Sequence, residues 1–301
     1  MDLTTSVTGI VFKHPVMNAS GILAASINGV RILAKTGVAG IVTKTLTLEP
    51  REGYLPPITI PLDYGLLNAV GLANPGIDAV NVLVEEIHRY GLPAIVSIGG
   101  RDPGEFQVLA EKALDAKPEA LELNLSCPHT PGFGVDAAAT DKALKHIALN
   151  VSSISSIPVW GKLGFSRRIV RESEILLSNG VDAVVLINTL PGMFIDVYVG
   201  KPVLTHGYGG LSGPAIHPVA VYSVYKVYEE LGAEIIGVGG VVDWKTCVEL
   251  LLAGAKAVQI GTGFYMVGYD IVHNILDGVK KYMEEKGFSR ISDIIGYAHR
   301  K

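Results

Sequence analysis

Cysteine is nearly missing from this 301-residue chain: there are two, Cys127 and Cys247, and no CxxC pair. That scarcity argues against a disulfide framework, a cysteine zinc site or an iron–sulfur cluster held by this chain. It suits the reducing cytosol. Long hydrophobic runs are also missing; none reaches the ~18 uninterrupted apolar residues of a membrane span. The opening "MDLTTSVTGIVFKHPV" has no long apolar core of the kind a secretory signal needs. Basic runs are missing too, and the net charge is a mild −4. The expectation is a cytoplasmic protein with neither nucleic acid nor membrane as a partner.

What is present is globular: 49% hydrophobic, 18% charged, with 35 glycines. Short apolar runs recur along the chain, at 15–20, 39–45, 93–98, 120–126, 158–163, 182–188, 234–239 and 257–262. Helical patterns such as "DKALKHIALNVSSI" and "WKTCVELLLAGA" lie between them. Alternating strands and helices, with strands apolar on both faces, indicate a parallel sheet covered by helices. About eight such units in one chain of this length point to a closed (β/α)8 TIM barrel spanning residues 1–301. Two stretches break the rhythm. Residues 46–80 form a long Pro- and Gly-rich insertion after the second strand, and residues 190–215 form a small excursion with a hairpin, "FIDVYVGKPVL". The first residues, "TTSVTGIVF", are suited to a hairpin plugging the barrel bottom.

Active sites in this fold lie at the C-terminal ends of the strands. The residues closing each run are unusually polar: Asn18, Ser20, Lys44, Thr45, Asn124, Cys127, Lys162, Asn188 and Thr189, with Asn68 from the insertion. A single strand-end Asn is more often a turn former than a ligand. Three asparagines and two lysines on different strands describe a pocket for a planar, amide-rich, anionic ligand. "GVGGV" (237–241) and "IGTG" (260–263) then follow the last two strands. Glycines there let backbone N–H groups approach a phosphate, which this end of the barrel commonly holds.

Cys247 sits in an apolar helix and reads as a small buried hydrophobe. Cys127 ends a strand before Pro128, facing the mouth, where a thiol can serve as base or nucleophile near neutral pH. The sequence does not choose between those roles. His129 and His206 fall in loops at the mouth, the latter more simply a solvated loop histidine. The other histidines show no metal-ligand spacing, and no metal site is expected.

"NASG" (18–21), "TKT" (43–45), "GLLNAVGLANPG" (65–76), "LNLSCPH" (123–129), "INT" (187–189), "GGLSGPAI" (209–216), "GVGGV" and "IGTG" together resemble the dihydroorotate dehydrogenase family, in its order and spacing and over essentially the whole chain. Cys at the base position is similar to the soluble class 1 enzymes; the membrane-bound class uses Ser. The resemblance implies one bound FMN per chain and oxidation of dihydroorotate to orotate in pyrimidine biosynthesis. It implies Cys127 as the catalytic base at carbon 5, with hydride leaving carbon 6. Lys44, Asn68, Asn124, Asn188 and Thr189 would hold the substrate, with backbone groups of Ala69, Val70, Gly71 and Leu72 at its carboxylate. Ser20, Lys44, Thr45, Asn124, Lys162, Ile187 and Gly213 would contact the flavin; Gly239, Gly240, Gly261 and Thr262 would take its phosphate.

Two residues depart from the family pattern. His129 stands where much of the family has Asn, and is similar to dihydropyrimidine dehydrogenases acting on uracil or thymine. Ser97 stands where relatives often place Asn against the flavin. The length and "SCPH" loop look like the class 1B catalytic subunit, which pairs with an iron–sulfur flavoprotein that passes electrons to NAD; class 1A homodimers use fumarate. The chain shows no strand–GxGxxG–helix unit at its start, so NAD would need such a partner. A homodimer, or the dimer core of a heterotetramer, is the expected assembly. The competing readings are a uracil-type dehydrogenase, a phosphate-binding lyase or isomerase with Lys162 or Lys44 as Schiff base, and a scaffold barrel without activity.

Overall fold

Thr8 and Gly9, both at positive φ, make the two-residue turn between β1 (Thr5–Val7) and β2 (Ile10–Phe12), the geometry that matches the twist of a tight hairpin. Val7 and Phe12 are fully buried and pack with Met17, Val42, Ile95, Trp160, Val185 and Ile236, the apolar filling of a barrel interior. The Trp160 indole N–H donates to Thr8 Oγ1 at 3.0 Å, tying hairpin to filling. The expected bottom plug is therefore present.

The computed structural model describes residues 1–126 and 140–300. After the hairpin come barrel strands β3 (Val16–Asn18) and β4 (Ile41–Val42), and then an inserted pair, β5 (Thr59–Leu62) and β6 (Gly65–Asn68). Four barrel strands follow: β7 (Ala94–Ile98), β8 (Ala120–Asn124), β9 (Val159–Leu163) and β10 (Ala183–Leu186). A second excursion supplies β11 (Leu190–Gly192), β12 (Ile195–Asp196), β13 (Lys201–Pro202) and β14 (Gly209–Ser212). Strands β15 (Ile235–Val238) and β16 (Ala257–Ile260) complete the barrel. The eight-stranded sheet runs β3-β16-β15-β10-β9-β8-β7-β4, every pair parallel. This is the (β/α)8 architecture expected from the alternating runs.

The seam between β3 and β4 is stitched mainly by one side chain. Asn18, fully buried, donates to the Val42 carbonyl at 2.8 Å and accepts from the Val42 N–H at 3.0 Å. It thus stands in for a pair of ladder bonds, while Ala39 N–H donates to the Val16 carbonyl one turn below. The expectation of Asn18 as a pocket residue is corrected here: its amide is consumed by barrel closure.

Outside lie α1 (Ile27–Lys35), α2 (Val80–His88), α3 (Pro103–Asp115), α4 (Asp141–Ser152), α5 (Ile169–Leu177), α6 (His217–Leu231), α7 (Trp244–Leu252), α8 (Thr262–Val267) and α9 (Ile271–Lys286). α3 shows why these segments are helical. Asp102 caps the N–H groups of Gly104 and Glu105 at 2.9 Å, and Pro103 supplies a preset first turn. Phe106, Leu109, Ala110 and Ala113 then form one buried stripe against the sheet. Burying Phe106 and Leu109 contributes roughly 1.5–3 kcal/mol each. Among the described residues no helix is long and apolar enough to cross a membrane.

The two excursions meet. β5, β6, β14 and β11 form one four-stranded antiparallel sheet, with Asn68 opposite Gly210 and Leu66 opposite Ser212. β12 and β13 form the small hairpin expected inside the second excursion. The extra sheet stands beside the barrel mouth and carries Asn68 and Ser212 to it.

Candidate functional site

At the C-terminal ends of the barrel strands lies a cavity of about 370 Å3, within the roughly 300–1,000 Å3 usual for small-molecule sites. Most of the residues expected at the site line it. Ser20, Lys44, Thr45, Asn124, Lys162, Ile187, Asn188 and Thr189 come from strand ends. Asn68, Val70, Gly71 and Leu72 come from the insertion, and Gly213, Gly239, Gly240, Gly261 and Thr262 from three glycine-rich turns. Ala69 does not line it: it is buried, off the cavity wall, and its N–H is spent on the Ile58 carbonyl. Cys127 and His129 lie outside the described residues.

One side of the mouth is a chain of oriented amides and hydroxyls. The Asn124 amide donates to Thr45 Oγ1 at 3.1 Å, and Thr45 and Ser97 share a 3.0 Å hydroxyl contact. Ser97 is thus a support behind Thr45, buried and away from the cavity wall. Asn188 donates to Ser126 Oγ at 3.0 Å, and its carbonyl oxygen accepts from the Thr189 N–H at 2.9 Å. Asn68 donates to the Gly210 carbonyl at 3.2 Å, so its orientation comes from the extra sheet. Such supports hold amide groups ready for a ligand with alternating donors and acceptors.

The cavity floor carries a buried cation. Lys162 is 3% exposed, and its ammonium reaches Ser20 Oγ at 3.2 Å, Gln259 Oε1 at 3.1 Å and Glu122 Oε1 at 3.5 Å. Glu122 and Gln259, which sequence reasoning missed, are fully exposed to neither solvent nor cavity. Their signal was present: each is a polar residue inside an otherwise apolar, buried strand.

The opposite wall is made by backbone. Gly240 sits at φ +71°, and a Cβ there would lie 2.6 Å from His217 Cβ and 2.8 Å from the Gly213 carbonyl oxygen. Gly213, at φ +88°, would meet Gly65 Cα at 2.7 Å. Only glycine lets these turns pack so tightly and present peptide groups to the cavity. His217 Nδ1 donates to the Gly239 carbonyl at 2.8 Å. Because a trans peptide points its C=O and N–H in opposite directions, this bond turns the Gly240 N–H away from His217. Ser212 and Thr262 share a 2.6 Å hydroxyl contact that ties the extra sheet to α8. Backbone N–H groups of glycine turns, a buried lysine and apolar walls (Ile187, Val238, Leu66) fit a planar ligand bearing a phosphate.

Two further residues fall elsewhere. His206 stacks on Tyr54, with centroids 4.1 Å apart, and does not line the cavity. Cys247 is fully buried in α7, and burial pushes its thiol up to about 12, so it is inert as a nucleophile. Among the described residues no cluster of three His, Cys, Asp or Glu could hold a metal.

Comparison with known proteins gives one consistent picture. A family model described as "Dihydroorotate dehydrogenase" matches residues 2–283. A Thermoplasma acidophilum protein named "Dihydroorotate dehydrogenase B (NAD(+)), catalytic subunit" is 43% identical over 99% of this chain and 99% of its own length. The protein of the same name from Pyrococcus furiosus is 39% identical over the whole of both chains. An Aeropyrum pernix protein named "Putative dihydroorotate dehydrogenase A (fumarate)" is 43% identical over 99% of this chain and 98% of its own.

Proposed function

The chain belongs to the dihydroorotate dehydrogenase family of oxidoreductases, and from that premise we propose that it binds FMN in the barrel-mouth cavity and oxidises dihydroorotate to orotate in pyrimidine biosynthesis. The family is flavin-dependent. The observation that carries the reading is convergence: residues from separate strands, the insertion and three glycine turns line one cavity. A lyase built on a Schiff-base lysine has no place in this family, and Lys162 in any case spends its ammonium on three acceptors.

FMN supplies the hydride acceptor. The chain's own residues do the rest. Gly239, Gly240, Gly261 and Thr262 take the phosphate through backbone groups, with Gly213 closing the turn beside them. Ser20, Thr45, Ile187 and Lys162 line the ring system, the lysine matching negative charge on it. Lys44 pairs with the substrate carboxylate alongside Val70, Gly71 and Leu72, while Asn68, Asn124, Asn188 and Thr189 hold the pyrimidine edges. Cys127 removes the proton from carbon 5 as hydride leaves carbon 6. The aligned B-type relatives are named as catalytic subunits, which supports an iron–sulfur flavoprotein partner carrying electrons from this chain to NAD.

An anaerobic absorbance titration tests the reading. The purified protein reconstituted with FMN is expected to bleach with dihydroorotate and not with dihydrouracil. Bleaching by dihydrouracil alone moves the chain to uracil-type chemistry and gives His129 its meaning. A bound flavin that neither compound bleaches refutes the assignment.

A further inference from the structure

Beneath the cavity, Glu122 on β8, Lys162 on β9 and Gln259 on β16 share the barrel axis, all of them buried. The register sets Asn124 beside Lys162 and Glu122 beside Trp160, so the carboxylate lies one layer below the cavity floor. An ammonium has three N–H groups, and those of Lys162 meet three acceptors: Ser20 Oγ, Gln259 Oε1 and Glu122 Oε1. Gln259 is locked by both ends of its amide. Its oxygen accepts from Lys162, and its Nε2 donates to the other oxygen of Glu122 at 2.7 Å. The three side chains form a closed ring in which Glu122 is held at both oxygens.

A carboxylate is a poor choice here if stability alone is at stake. Replacing a buried ion pair by well-packed apolar residues is often neutral or stabilising, and the layer below is filled by Met17, Trp160, Val185 and Ile236. What the apolar alternative lacks is charge next to the cavity floor.

We propose that Glu122 is a positioning residue that anchors Lys162 and offsets part of its charge, and so sets the reduction potential of the flavin held above it. The inference rests on the FMN reading given under the proposed function. Two-electron reduction with uptake of one proton leaves the isoalloxazine with one added negative charge. In a water-poor site a neighbouring cation favours that charge, and a carboxylate behind the cation opposes it. Glu122 therefore holds the potential down, and removing its charge raises it.

The test uses FMN-loaded wild type, Glu122→Gln, Lys162→Met and the double variant, each titrated anaerobically to equilibrium against a reference dye. Glu122→Gln is expected to shift the reduced-to-oxidised ratio about tenfold or more toward reduced flavin, which is ~30 mV upward for a two-electron couple. Lys162→Met shifts it the other way, and adding Glu122→Gln to Lys162→Met produces only a small fraction of its effect in wild type, because a buried carboxylate left without its cation neutralises and has no charge to lose. An unchanged or lowered potential in an FMN-binding Glu122→Gln protein overturns the proposal. So does an equal upward shift in the Lys162→Met background, because Glu122 would then act without the lysine. Should Glu122→Gln fail to fold, Glu122→Asp withdraws the carboxylate from Nζ and is expected to move the potential upward by less; no upward movement refutes the role. A wild-type protein that takes up no FMN instead refutes the function reading, a result separate from any potential.

Discussion

Asn18 tests whether one side chain closes the barrel. Removing its amide by Asn18→Ala leaves the Val42 N–H and C=O without the partners they have at 3.0 and 2.8 Å, at a fully buried seam. Each stranded buried group costs about 1–3 kcal/mol, so the pair costs about 2–6 kcal/mol. For a 301-residue chain, an unfolding entropy of about 2.1 cal/mol/K per residue turns that into a fall of roughly 3–10 °C in Tm. Asn18→Leu separates this cause from lost packing. Leucine has similar bulk, so it restores volume while leaving both backbone groups stranded. Urea and thermal denaturation are therefore expected to place Asn18→Leu near Asn18→Ala, both well below wild type. If Asn18→Leu is within about 0.5 kcal/mol of wild type, the range of an ordinary surface change, the seam does not depend on the amide and the reasoning fails.

Other expectations concern the site and one buried histidine. Cys127→Ala is expected to keep FMN while its reduction by dihydroorotate slows by about 10²-fold or more, and Cys127→Ser to be intermediate; stopped-flow reduction at the native rate would remove Cys127 as the base. Lys44→Ala should raise the Kd for orotate by about 10–100-fold, the value of one charge-assisted contact, and an unchanged Kd would take Lys44 out of the substrate site. Gly240→Ala forces a side chain into left-handed backbone, at about 1–2 kcal/mol, with its Cβ against His217 and the Gly213 carbonyl. FMN affinity should fall about tenfold or more while riboflavin, which has no phosphate, binds nearly as before; equal losses would mean a general distortion. His14 accepts from the Val16 N–H, its other nitrogen meets the Gly37 carbonyl, and burial lowers its pKa to about 4. The unfolded chain binds that proton near pH 6.5, so about 3 kcal/mol of stability present above pH 6.5 is lost as pH falls to 4. His14→Gln should flatten that acid limb in urea titrations, and an unaltered limb would clear His14 of the effect.

The strands were legible because a parallel barrel buries both faces of each one, which writes near-continuous apolar runs into the chain. β7 and β8, buried at every position, are such runs. The polar residues closing them were legible for a related reason: a strand that ends at the mouth has no apolar neighbour to meet. That logic gathered Lys44, Asn124, Lys162 and Asn188, which line one cavity, and failed for Asn18, which has the same position in its run. Asn124 faces the cavity, whereas Asn18 falls where two strands from opposite ends of the sheet order meet. Which strands form the seam is a property of closure, and local pattern carries no record of it.

What the sequence determined by itself was therefore the element type, the barrel and the chemical character of its mouth, because these follow from local periodicity and from which residues end each run. Tertiary structure alone decided which distant segments meet. The insertion and the later excursion each read as separate interruptions, yet Leu66–Asn68 pairs with Gly210–Ser212 and so brings Asn68 to the cavity. Glu122 and Gln259 were visible as odd polar residues in apolar strands, but only the closed sheet brings them to Lys162. Such contacts join residues from 40 to 146 positions apart, and their energy depends on distance in space, which the order of residues along the chain does not contain.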